Sequence, residues 1–381
     1  MNKPIRVLQV LGGTSLGGAE SRVMDLYRHM DRERVQFDFA VHSSKPEFFD
    51  QEIESLGGTI YRLPRFKVYN WLSYRKAWKQ FFTQHQEFAA VHGHMTSTAS
   101  IYLPIAKSLG VKRTMAHARS AGTDSGLKGV MTRLLRKNLW KKTDYCLACS
   151  ALAGQAVYGE KAWKKGLVHV IPNAIGLEKY AYDPGMREEM RRQLGVSDRL
   201  VIGHVGRFHE AKNHGFLLEV FAAVCQKREN AVLVLVGEGG GMEAAKQKAK
   251  ELGIADKVQF LGSKKNVADY YQAMDVFLFP SLYEGLPGSV LEAQASGLCC
   301  VIADTITTEV GITDLVEYAS LSETPQKWAD RVLAGADAKT KNRRARLEEL
   351  RAAGFDVADQ AQKMMNFYEK GEPLWETEPN R

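Results

Sequence analysis

The segment "VFLFPSLYEGLPGSVLEA", residues 276–293, passes from one type of secondary structure into another. Its apolar run "VFLFP" predicts a buried strand, and the following "GSVLEAQASGL" predicts a helix that ends near Gly297. Pro287 fits the first helical turn, where its missing N–H costs nothing. A strand that turns directly into a helix is the repeating unit of a parallel α/β sheet.

The same alternation of strands and helices runs along the whole chain. In the first half we predict strands at "IRVLQVL", "FDFAVH", "AAVHGH", "RTMAHA", "YCLACS" and "VHVIP". In the second half "LVIGHVGR", "AVLVLVG", "VQFLG" and "VFLFP" alternate with helices near 214–227, 242–252 and 266–273. The restart follows "IPNAIGLEKYAYDPG", which has the composition of a linker. We therefore expect two α/β domains with parallel sheets that face a cleft.

Length and composition are those of two globular domains. A chain of 381 residues is longer than one typical core supports. We find no apolar run near the roughly 18 residues of a membrane span and no signal-peptide pattern at the N-terminus. Five scattered cysteines suit a reducing cytosol. Cys146 and Cys149 have C-x-x-C spacing without a second pair, so core thiols are favoured over a zinc site.

The net charge of +8 is unevenly distributed along the chain. Residues 1–172 hold 26 Lys and Arg against 13 Asp and Glu, whereas the remainder holds 26 against 31. A uniformly basic chain would suggest nucleic-acid binding, but this chain has one basic and one mildly acidic half. The asymmetry indicates instead that the first half faces something anionic.

The turn in the opening segment has the features of an anion site. The first N–H groups of the helix, near Gly288 and Ser289, have no partner inside the helix and attract a phosphate. Glu284 precedes the turn and Glu292 lies within the first two helical turns. They are therefore not a paired acid and base on one helix face. They suit a nucleotide sugar, whose hydroxyl groups lie on both sides of a diphosphate.

Two cations could complete this site. Arg207 and Lys212 follow the strand "LVIGHVGR", where they could neutralise a diphosphate, although a solvated basic loop is the alternative. The chain contains no D-x-D, so we expect no metal. The glycine-rich turns "LGGTSLGGAE" and "VGEGGGME" do not fit G-x-G-x-x-G, and we expect no nicotinamide or flavin cofactor.

Three histidines lie near one predicted sheet edge. His92 and His94 alternate along a strand, and His117 lies at the end of the next strand. A zinc site would need a further ligand, and we see no partner carboxylate nearby. His117 could instead contact substrate or be a structural histidine.

At these positions the sequence resembles the retaining glycosyltransferases of family 4, which have the GT-B fold of two Rossmann-like, doubly wound parallel-sheet domains. The matching motifs are "GGAE" (17–20), "VHGH" (91–94), "IPNAI" (171–175), "GRFHEAKN" (206–213), "LVGEGG", "VQFLG", "DVFLFPSLYEGLP" and the E-x7-E pair Glu284 and Glu292. "ACSALAGQAVYG" and "ADTITTEV" are similar to the bacterial capsule and exopolysaccharide subgroup. Ala174 and Gly176 depart from the usual P-N-G-[VI]-D linker.

The resemblance implies a metal-independent retaining hexosyltransferase with a nucleoside-diphosphate sugar donor, UDP being the expected nucleotide. It implies an acceptor-binding domain over 1–173, a donor-binding domain over 174–354 and a C-terminal helix, within about 355–381, that crosses back to the first domain. The roles it implies are a leaving-group clamp of Arg207 and Lys212, a ribose contact by Glu292, donor-sugar contacts by Glu284 and His117, a sugar–phosphate site along Leu286, Pro287, Gly288 and Ser289, and a diphosphate contact by Gly17 and Gly18.

Two stretches of the basic half combine positive charge with apolar side chains. In 127–142 the residues Leu127, Val130, Met131, Leu134, Leu135 and Leu139 form one helical stripe among Lys and Arg. In 65–82, Tyr69, Trp71, Trp78 and Phe81 accompany Arg and Lys. We expect these stretches to dock on an anionic membrane surface, each Lys or Arg contributing roughly 1 kcal/mol. The alternative is a helix that packs on the sheet and exposes a solvated basic face.

The sequence thus predicts a cytoplasmic, peripherally membrane-associated glycosyltransferase. Its acceptor would be lipid-linked or a glycan in capsule or exopolysaccharide synthesis. One alternative is a GT-B-fold nucleotide-sugar epimerase, which would share the nucleotide site and need no acceptor. Another is a non-catalytic nucleotide-sugar-binding scaffold, against which the intact Glu284, Glu292, Arg207 and Lys212 argue.

Overall fold

The computed structural model describes residues 3–120, 122, 126–339 and 343–371, without the side chains of residues 127, 128 and 339. The chain divides into two compact units. Unit 1 comprises Met1–Ala174 and Val357–Arg381, and unit 2 comprises Ile175–Asp356. The predicted domain ends, 173 and 354, fall one and two residues before these bounds.

Unit 1 is built on a seven-stranded parallel sheet. Its strands are β1 (Ile5–Leu11), β2 (Val35–Val41), β3 (Ile60–Arg62), β4 (Phe88–Gly93), β5 (Arg113–Ala118), β6 (Tyr145–Ala148) and β7 (Val168–Val170). They lie in the order β3-β2-β1-β4-β5-β6-β7. This order places the carboxyl ends of β1, β4 and β5 next to one another, which is the position of the glycine-rich turn and the three histidines.

Helices cover the sheet of unit 1. They are α1 (Gly18–Arg28), α2 (Asp50–Ser55), α3 (Trp71–Gln84), α4 (Thr96–Ser108), α5 (Gly126–Arg136), α6 (Ala151–Tyr158) and α7 (Glu160–Lys164). α3, α4 and α5 pack against one another in sequence. Their apolar side chains form a core cluster with β4, distinct from the cluster that contains α1.

Unit 2 repeats the design with a six-stranded parallel sheet in the order β10-β9-β8-β11-β12-β13. Its strands are β8 (Leu200–Val205), β9 (Ala231–Val236), β10 (Val258–Phe260), β11 (Val276–Phe279), β12 (Cys299–Ala303) and β13 (Val316–Ala319). Its helices are α8 (Pro184–Gln193), α9 (His214–Lys227), α10 (Met242–Glu251), α11 (Val267–Ala273), α12 (Gly288–Ala295), α13 (Pro325–Lys339) and α14 (Leu347–Ala352). The predicted two-domain α/β fold is confirmed.

The last described helix, α15 (Val357–Lys370), belongs to unit 1. It packs on α1, β1 and β2. Arg113 of β5 donates to the carbonyl oxygens of Tyr368 (2.9 Å) and Glu369 (3.3 Å), so a cation satisfies the carboxyl end of the helix. Arg34 pairs with Glu369 at 2.7 Å. The predicted return of the C-terminal helix is therefore seen over 357–370, and residues 372–381 lie outside the described part.

Several features differ from the sequence-based expectation. The short edge strand β3 and the strands β12 and β13 were not predicted. Cys299 and Cys300 begin β12 and are buried. The helix expected over 127–142 ends at Arg136, and Leu139 is buried. Trp78 and Phe81 pack in the core of unit 1, so the expected membrane contact of these two aromatic residues is wrong.

No described helix is both long enough and apolar enough to cross a membrane. Cys146, Cys149, Cys299 and Cys300 are buried and form no disulfide among the described residues. Cys146 and Cys149 are thus core thiols, as expected.

The glycine-rich turn after β9 supports the segment after β8. Gly237 has φ +142°, and a Cβ there would lie 2.0 Å from the carbonyl oxygen of Gly206. The amide of Gly206 donates to Val236 (3.0 Å) and that of Phe208 to Glu238 (3.0 Å). Only glycine permits this backbone approach, and the approach fixes the segment that carries Arg207.

Replacing Gly237 by Ala should destabilise the protein by about 2 kcal/mol, because the new methyl group meets backbone that cannot rotate away. Urea unfolding followed by circular dichroism measures the loss. Gly240 lies in the same turn with an open Cβ position and no positive φ, and Gly240→Ala should change stability by less than about 0.5 kcal/mol. Equal losses in the two variants would contradict this account.

Candidate functional site

The segment from β11 to α12 forms an uncapped helix start. Pro287 is the N-cap residue in extended conformation, and its side chain does not cap the first N–H groups of α12. The helix begins at Gly288, as predicted, and Pro287 precedes it as the N-cap residue instead of lying within the first helical turn. Leu286 and Pro287 are buried, whereas Gly288 and Ser289 are half-buried. The free N–H groups leave this turn able to bind an anion.

Glu292 lies in the second turn of α12 with 8% of its surface exposed. The hydroxyl of Tyr271, on α11, donates to Glu292 Oε2 at 2.9 Å and lies 3.2 Å from the carbonyl oxygen of Ser289. Burial, and secondly the charge of Glu292, raise the pKa of Tyr271 well above its usual value. Tyr271 therefore keeps its proton and holds the Glu292 carboxylate in place.

Glu284 and Lys212 form an ion pair, with 2.7 Å between Oε1 and Nζ, and each side chain is about one-fifth exposed (19% and 18%). The ammonium group also lies 4.5 Å from the ring centroid of Phe279, an attractive cation–π distance. The amide of Leu282 donates to the carbonyl oxygen of Ala211 at 2.8 Å, which ties the loop after β11 to the turn that carries Lys212. The structure thus brings these two predicted residues together.

Arg207 is not part of this pair. It lies on the exposed segment after β8, and within the described ranges its side chain has no ion-pair partner. Both residues of the predicted clamp lie on the carboxyl side of β8. Lys212 is paired with Glu284, whereas Arg207 has no ion-pair partner among the described residues.

Behind this loop lie two buried histidines that sequence reasoning missed. His204, on β8, uses Nδ1 to contact the carbonyl oxygen of Leu278 at 2.9 Å. Its Nε2 has no partner in the described part of the chain. Burial, reinforced by the nearby His214 and Lys212, lowers the pKa of His204 well below its usual value. The ring is therefore neutral at neutral pH.

In unit 1 the turn after β1 places Gly17 and Gly18 at the start of α1. Gly17 is the N-cap residue, and no side chain caps this helix. A Cβ on Gly18 would meet no atom within 4 Å. The turn is held by Thr14, whose amide bonds to Glu47 and whose carbonyl oxygen accepts from Phe49 at 2.9 Å. The carboxylate of Glu20 lies in the first turn of this helix, where a Cβ on Gly17 would be 2.3 Å from Glu20 Oε2, so this helix start already faces a negative charge of its own.

The three histidines meet, as expected from their positions on neighbouring strands. His92 Nε2 lies 3.0 Å from His117 Nδ1, and His92 Nδ1 lies 2.7 Å from the hydroxyl oxygen of Tyr368. The rings of His92 and His94 stack at 4.4 Å. One ring nitrogen from each of His92, His94 and His117 falls within a 4.8 Å group. His117 is 1% exposed, and its Nε2 has no hydrogen-bond partner among the described residues.

Arg119 adjoins this cluster. Its Nε donates to His94 Nδ1 (3.1 Å), and its Nη1 donates to Asn173 Oδ1 (3.0 Å). His94 Nε2 lies 2.9 Å from Gln9 Oε1. Burial, and then the charge of Arg119, lower the pKa of His117 well below its usual value. Burial also lowers the pKa of Arg119 to about 10, which still leaves it protonated at neutral pH.

Unit 1 also contains a cavity of about 1250 Å³ at the carboxyl ends of its first strands. Four cationic side chains line it, those of Lys45, Arg62, Arg65 and Lys67. Glu20 and Glu47 line it too, and Arg62 is paired with Asp50. The cavity therefore presents only a small excess of positive charge, carried by Lys45, Arg65 and Lys67.

The cavity adjoins a surface that is both basic and apolar. Val68, Tyr69 and Leu72 expose 59%, 83% and 81% of their surface. The exposed cations of this stretch are Arg65, Lys67, Arg75, Lys76 and Lys79. We call these eight residues the 65–79 surface. On α5, Val130 and Leu134 are also exposed, whereas the side chain of Leu127 lies outside the described residues.

Removing the Tyr271 hydroxyl with Tyr271→Phe should cost about 1–3 kcal/mol of stability, since a buried carboxylate loses its charged-state hydrogen bond. The midpoint of urea unfolding reports this cost. The neighbouring residue provides the control: Tyr270→Phe removes a half-buried hydroxyl without a contact to Glu292. If both variants unfold at the same urea concentration, Tyr271 does not hold Glu292.

Comparison with known proteins identifies the family. Residues 16–179 match the model described as Glycosyltransferase Family 4, and residues 186–349 match that described as Glycosyl transferases group 1. The glycosyltransferase EpsF of Bacillus subtilis (strain 168) is 36% identical over 372 residues, covering 95% of this chain and 96% of EpsF. The capsular polysaccharide biosynthesis glycosyltransferase CapH of Staphylococcus aureus is 25% identical over 338 residues, 86% of this chain and 90% of CapH.

Among solved structures, that of Anabaena HepE in complex with UDP and glucose matches with a TM-score of 0.74 and 18% identity, covering 96% of this chain and 100% of HepE. At that identity the match concerns the fold, which is the same pair of Rossmann-like parallel-sheet domains. With a relative above one-third identity along almost its whole length, this chain belongs to the family 4 glycosyltransferases of GT-B fold.

Proposed function

We propose that this glycosyltransferase moves a sugar from a nucleoside-diphosphate sugar, with UDP as the nucleotide, to a lipid-linked or glycan acceptor in capsule or exopolysaccharide synthesis, and that it retains the anomeric configuration. The observation that carries the proposal is the Lys212–Glu284 ion pair on the same loops as the uncapped start of α12 and the buried carboxylate of Glu292. The capsular role of CapH and the UDP in HepE support it.

The donor would bind to unit 2. Its diphosphate would accept from the N–H groups of Gly288 and Ser289 and pair with Lys212, which would leave Glu284. A diphosphate carries more negative charge than one carboxylate and can therefore compete for the ammonium group. Glu284, once released, would accept from hydroxyl groups of the donor sugar. Glu292, fixed by Tyr271, would accept from the ribose hydroxyls.

The chemical step depends on stabilising the departing diphosphate. Negative charge grows on the phosphate oxygens as the sugar–oxygen bond breaks, and Lys212, Arg207 and the helix start would oppose that charge. The acceptor hydroxyl would attack from the side of the leaving group and give its proton to the leaving phosphate, which yields retention. Glu284 is a positioning group in this scheme, and fixed cations do the work of a metal.

The acceptor would bind to unit 1. The cavity lined by Lys45, Arg62, Arg65 and Lys67 suits an anionic group such as a diphosphate. The 65–79 surface next to it offers Val68, Tyr69 and Leu72 for lipid. The two features together favour a lipid-diphosphate acceptor presented by the cytoplasmic face of a membrane.

Replacing Lys212 by Ala should lower turnover about 100-fold and change donor affinity far less, because the charge that Lys212 opposes develops mainly in the transition state. Thermal shift against a panel of nucleoside-diphosphate sugars first identifies the donor, and its hydrolysis or transfer gives the rate. Lys265 is an exposed lysine of unit 2, and Lys265→Ala should match the wild type. Unchanged turnover in the Lys212 variant would remove Lys212 from the mechanism.

The stereochemical part of the proposal has its own measurement. The anomeric configuration of the product, read by NMR, should equal that of the donor, and the rate should be unaffected by EDTA. An inverted product excludes retention, and loss of activity in EDTA excludes metal independence. Formation of a free sugar-nucleotide epimer without acceptor would identify an epimerase instead.

Membrane docking is tested by vesicle flotation. The double variant Tyr69→Ser, Leu72→Ser should bind vesicles containing anionic lipid about tenfold more weakly than the wild type, because two exposed apolar side chains no longer enter the interface. Leu152 is 51% exposed on α6, and Leu152→Ser serves as the matched control. Equal binding of all three proteins, or equal binding to neutral vesicles, would contradict docking through the 65–79 surface.

A further inference from the structure

In the buried histidine cluster of unit 1, the hydrogen-bond partners indicate which ring nitrogen of each histidine carries the proton. A guanidinium group can only donate, so His94 Nδ1, which contacts Arg119 Nε, must accept. The proton of neutral His94 then lies on Nε2 and is donated to Gln9 Oε1. This first step fixes one tautomer without further assumption.

The remaining chain runs from Tyr368 through His92 to His117, and its protons have two possible arrangements. In the first, Tyr368 donates to His92 Nδ1, and His92 Nε2–H donates to His117 Nδ1. The proton of His117 is then on Nε2. In the second, both imidazole bonds are reversed and His117 Nε2 is a bare lone pair.

Counting unsatisfied groups separates the two arrangements. Among the described residues the Tyr368 hydroxyl has one acceptor, His92 Nδ1, while the side-chain amide of Gln9 can only donate to the hydroxyl oxygen. In the reversed arrangement the hydroxyl proton loses that acceptor, and His117 Nε2 also lacks a donor. In the first arrangement the hydroxyl proton is satisfied, and of the groups that distinguish the two arrangements only the His117 Nε2–H lacks a partner. Since buried polar groups without partners are costly, the first arrangement is the more stable one.

We infer that Tyr368 and His92 are positioning residues that fix His117 as the Nε2–H tautomer, so that His117 offers a neutral hydrogen-bond donor to a substrate oxygen. The substrate half of this statement rests on the proposed function. The tautomer half rests on the hydrogen bonds alone. Burial and the nearby Arg119 keep the His117 ring neutral. His117 can therefore donate a hydrogen bond to a substrate oxygen, but it does not act as a positively charged general acid.

The same network argues against a metal ion in the cluster. His92 and His94 use both ring nitrogens, and His117 uses Nδ1. A metal would find one nitrogen without a hydrogen-bond partner, and in the inferred tautomer that nitrogen carries a proton. It would also lie near the fixed positive charge of Arg119. The three histidines are thus explained by their hydrogen bonds to one another and to neighbouring side chains, without a metal ion. We call the chain from Tyr368 through His92 to His117 the relay.

The test begins with ligand-free wild-type protein labelled with ¹⁵N at histidine, whose long-range proton–nitrogen spectra distinguish the two tautomers. The His117 signals are assigned with His117→Gln. We expect the proton of His117 on Nε2. A proton on Nδ1, or zinc bound stoichiometrically to the purified protein, overturns the inference. This measurement needs no substrate. The inferred tautomer can therefore be wrong while the proposed function is right, and the proposed function can be wrong while the tautomer is right.

The role of Tyr368 is tested with Tyr368→Phe, which keeps the ring and removes the hydroxyl. Without it both arrangements leave one donor and one acceptor unsatisfied, so the two tautomers of His117 should become about equally populated and turnover should fall about twofold. The control is Tyr145, whose ring centroid lies 4.7 Å from that of Phe367 on α15, the helix that also carries Tyr368. Tyr145→Phe should change neither the tautomer of His117 nor the turnover. An unchanged tautomer in Tyr368→Phe overturns the relay.

A combination of variants separates positioning from a merely structural role. The side chain of His117→Gln has a fixed donor and no tautomers, so adding Tyr368→Phe to it should cost no further turnover. If Tyr368→Phe lowers turnover equally in both backgrounds, Tyr368 acts through packing and the inference is wrong. Should Tyr368→Phe fail to fold, the wild-type spectrum still decides the tautomer.

Discussion

Parallel pairing of strands is the constraint on which both units depend. Because every strand in a sheet runs the same way, the loops that follow them emerge at one edge, and residues far apart in sequence meet there. Lys212 follows β8 and Glu284 follows β11, the neighbouring strand in the sheet, and they meet at 2.7 Å. His92 and His117 meet in the same way at the ends of β4 and β5.

The buried polar atoms that lack partners follow this geometry. His117 is the penultimate residue of β5, His204 is the penultimate residue of β8, and Ser281 is the second residue after β11. Each keeps one buried polar side-chain atom without a hydrogen-bond partner in the described structure. Other such atoms, on Trp78 and Tyr102, lie among the helices of unit 1. Because a buried polar group without a partner is costly, the three atoms at the strand ends are candidates for completion by a ligand.

Sequence reasoning predicted what depends on local pattern. The strand-to-helix change over 276–293 identifies β11, α12 and the turn between them, because periodicity and Pro287 act within a few residues. It could not predict that Tyr271 holds Glu292, since the contact joins two helices and no spacing rule encodes it. Nor could it predict that Lys212 pairs with Glu284 while Arg207 stays exposed. In 65–82 composition alone suggested a membrane face, but the fold buries Trp78 and Phe81 and exposes Tyr69 and Leu72.

The placement of α15 has a consequence for synthesis of the protein. Unit 1 is complete only when Val357–Lys370 joins Met1–Ala174, and the whole of unit 2 is translated between them. At roughly 5–20 residues per second this leaves the nascent unit 1 without α15 for about 10–40 s. During that time the apolar surface that later receives Met364, Phe367 and Tyr368 is uncovered, and His92 has no phenol partner. The ribosome-bound chain therefore carries an unfinished first domain for as long as the second is being made.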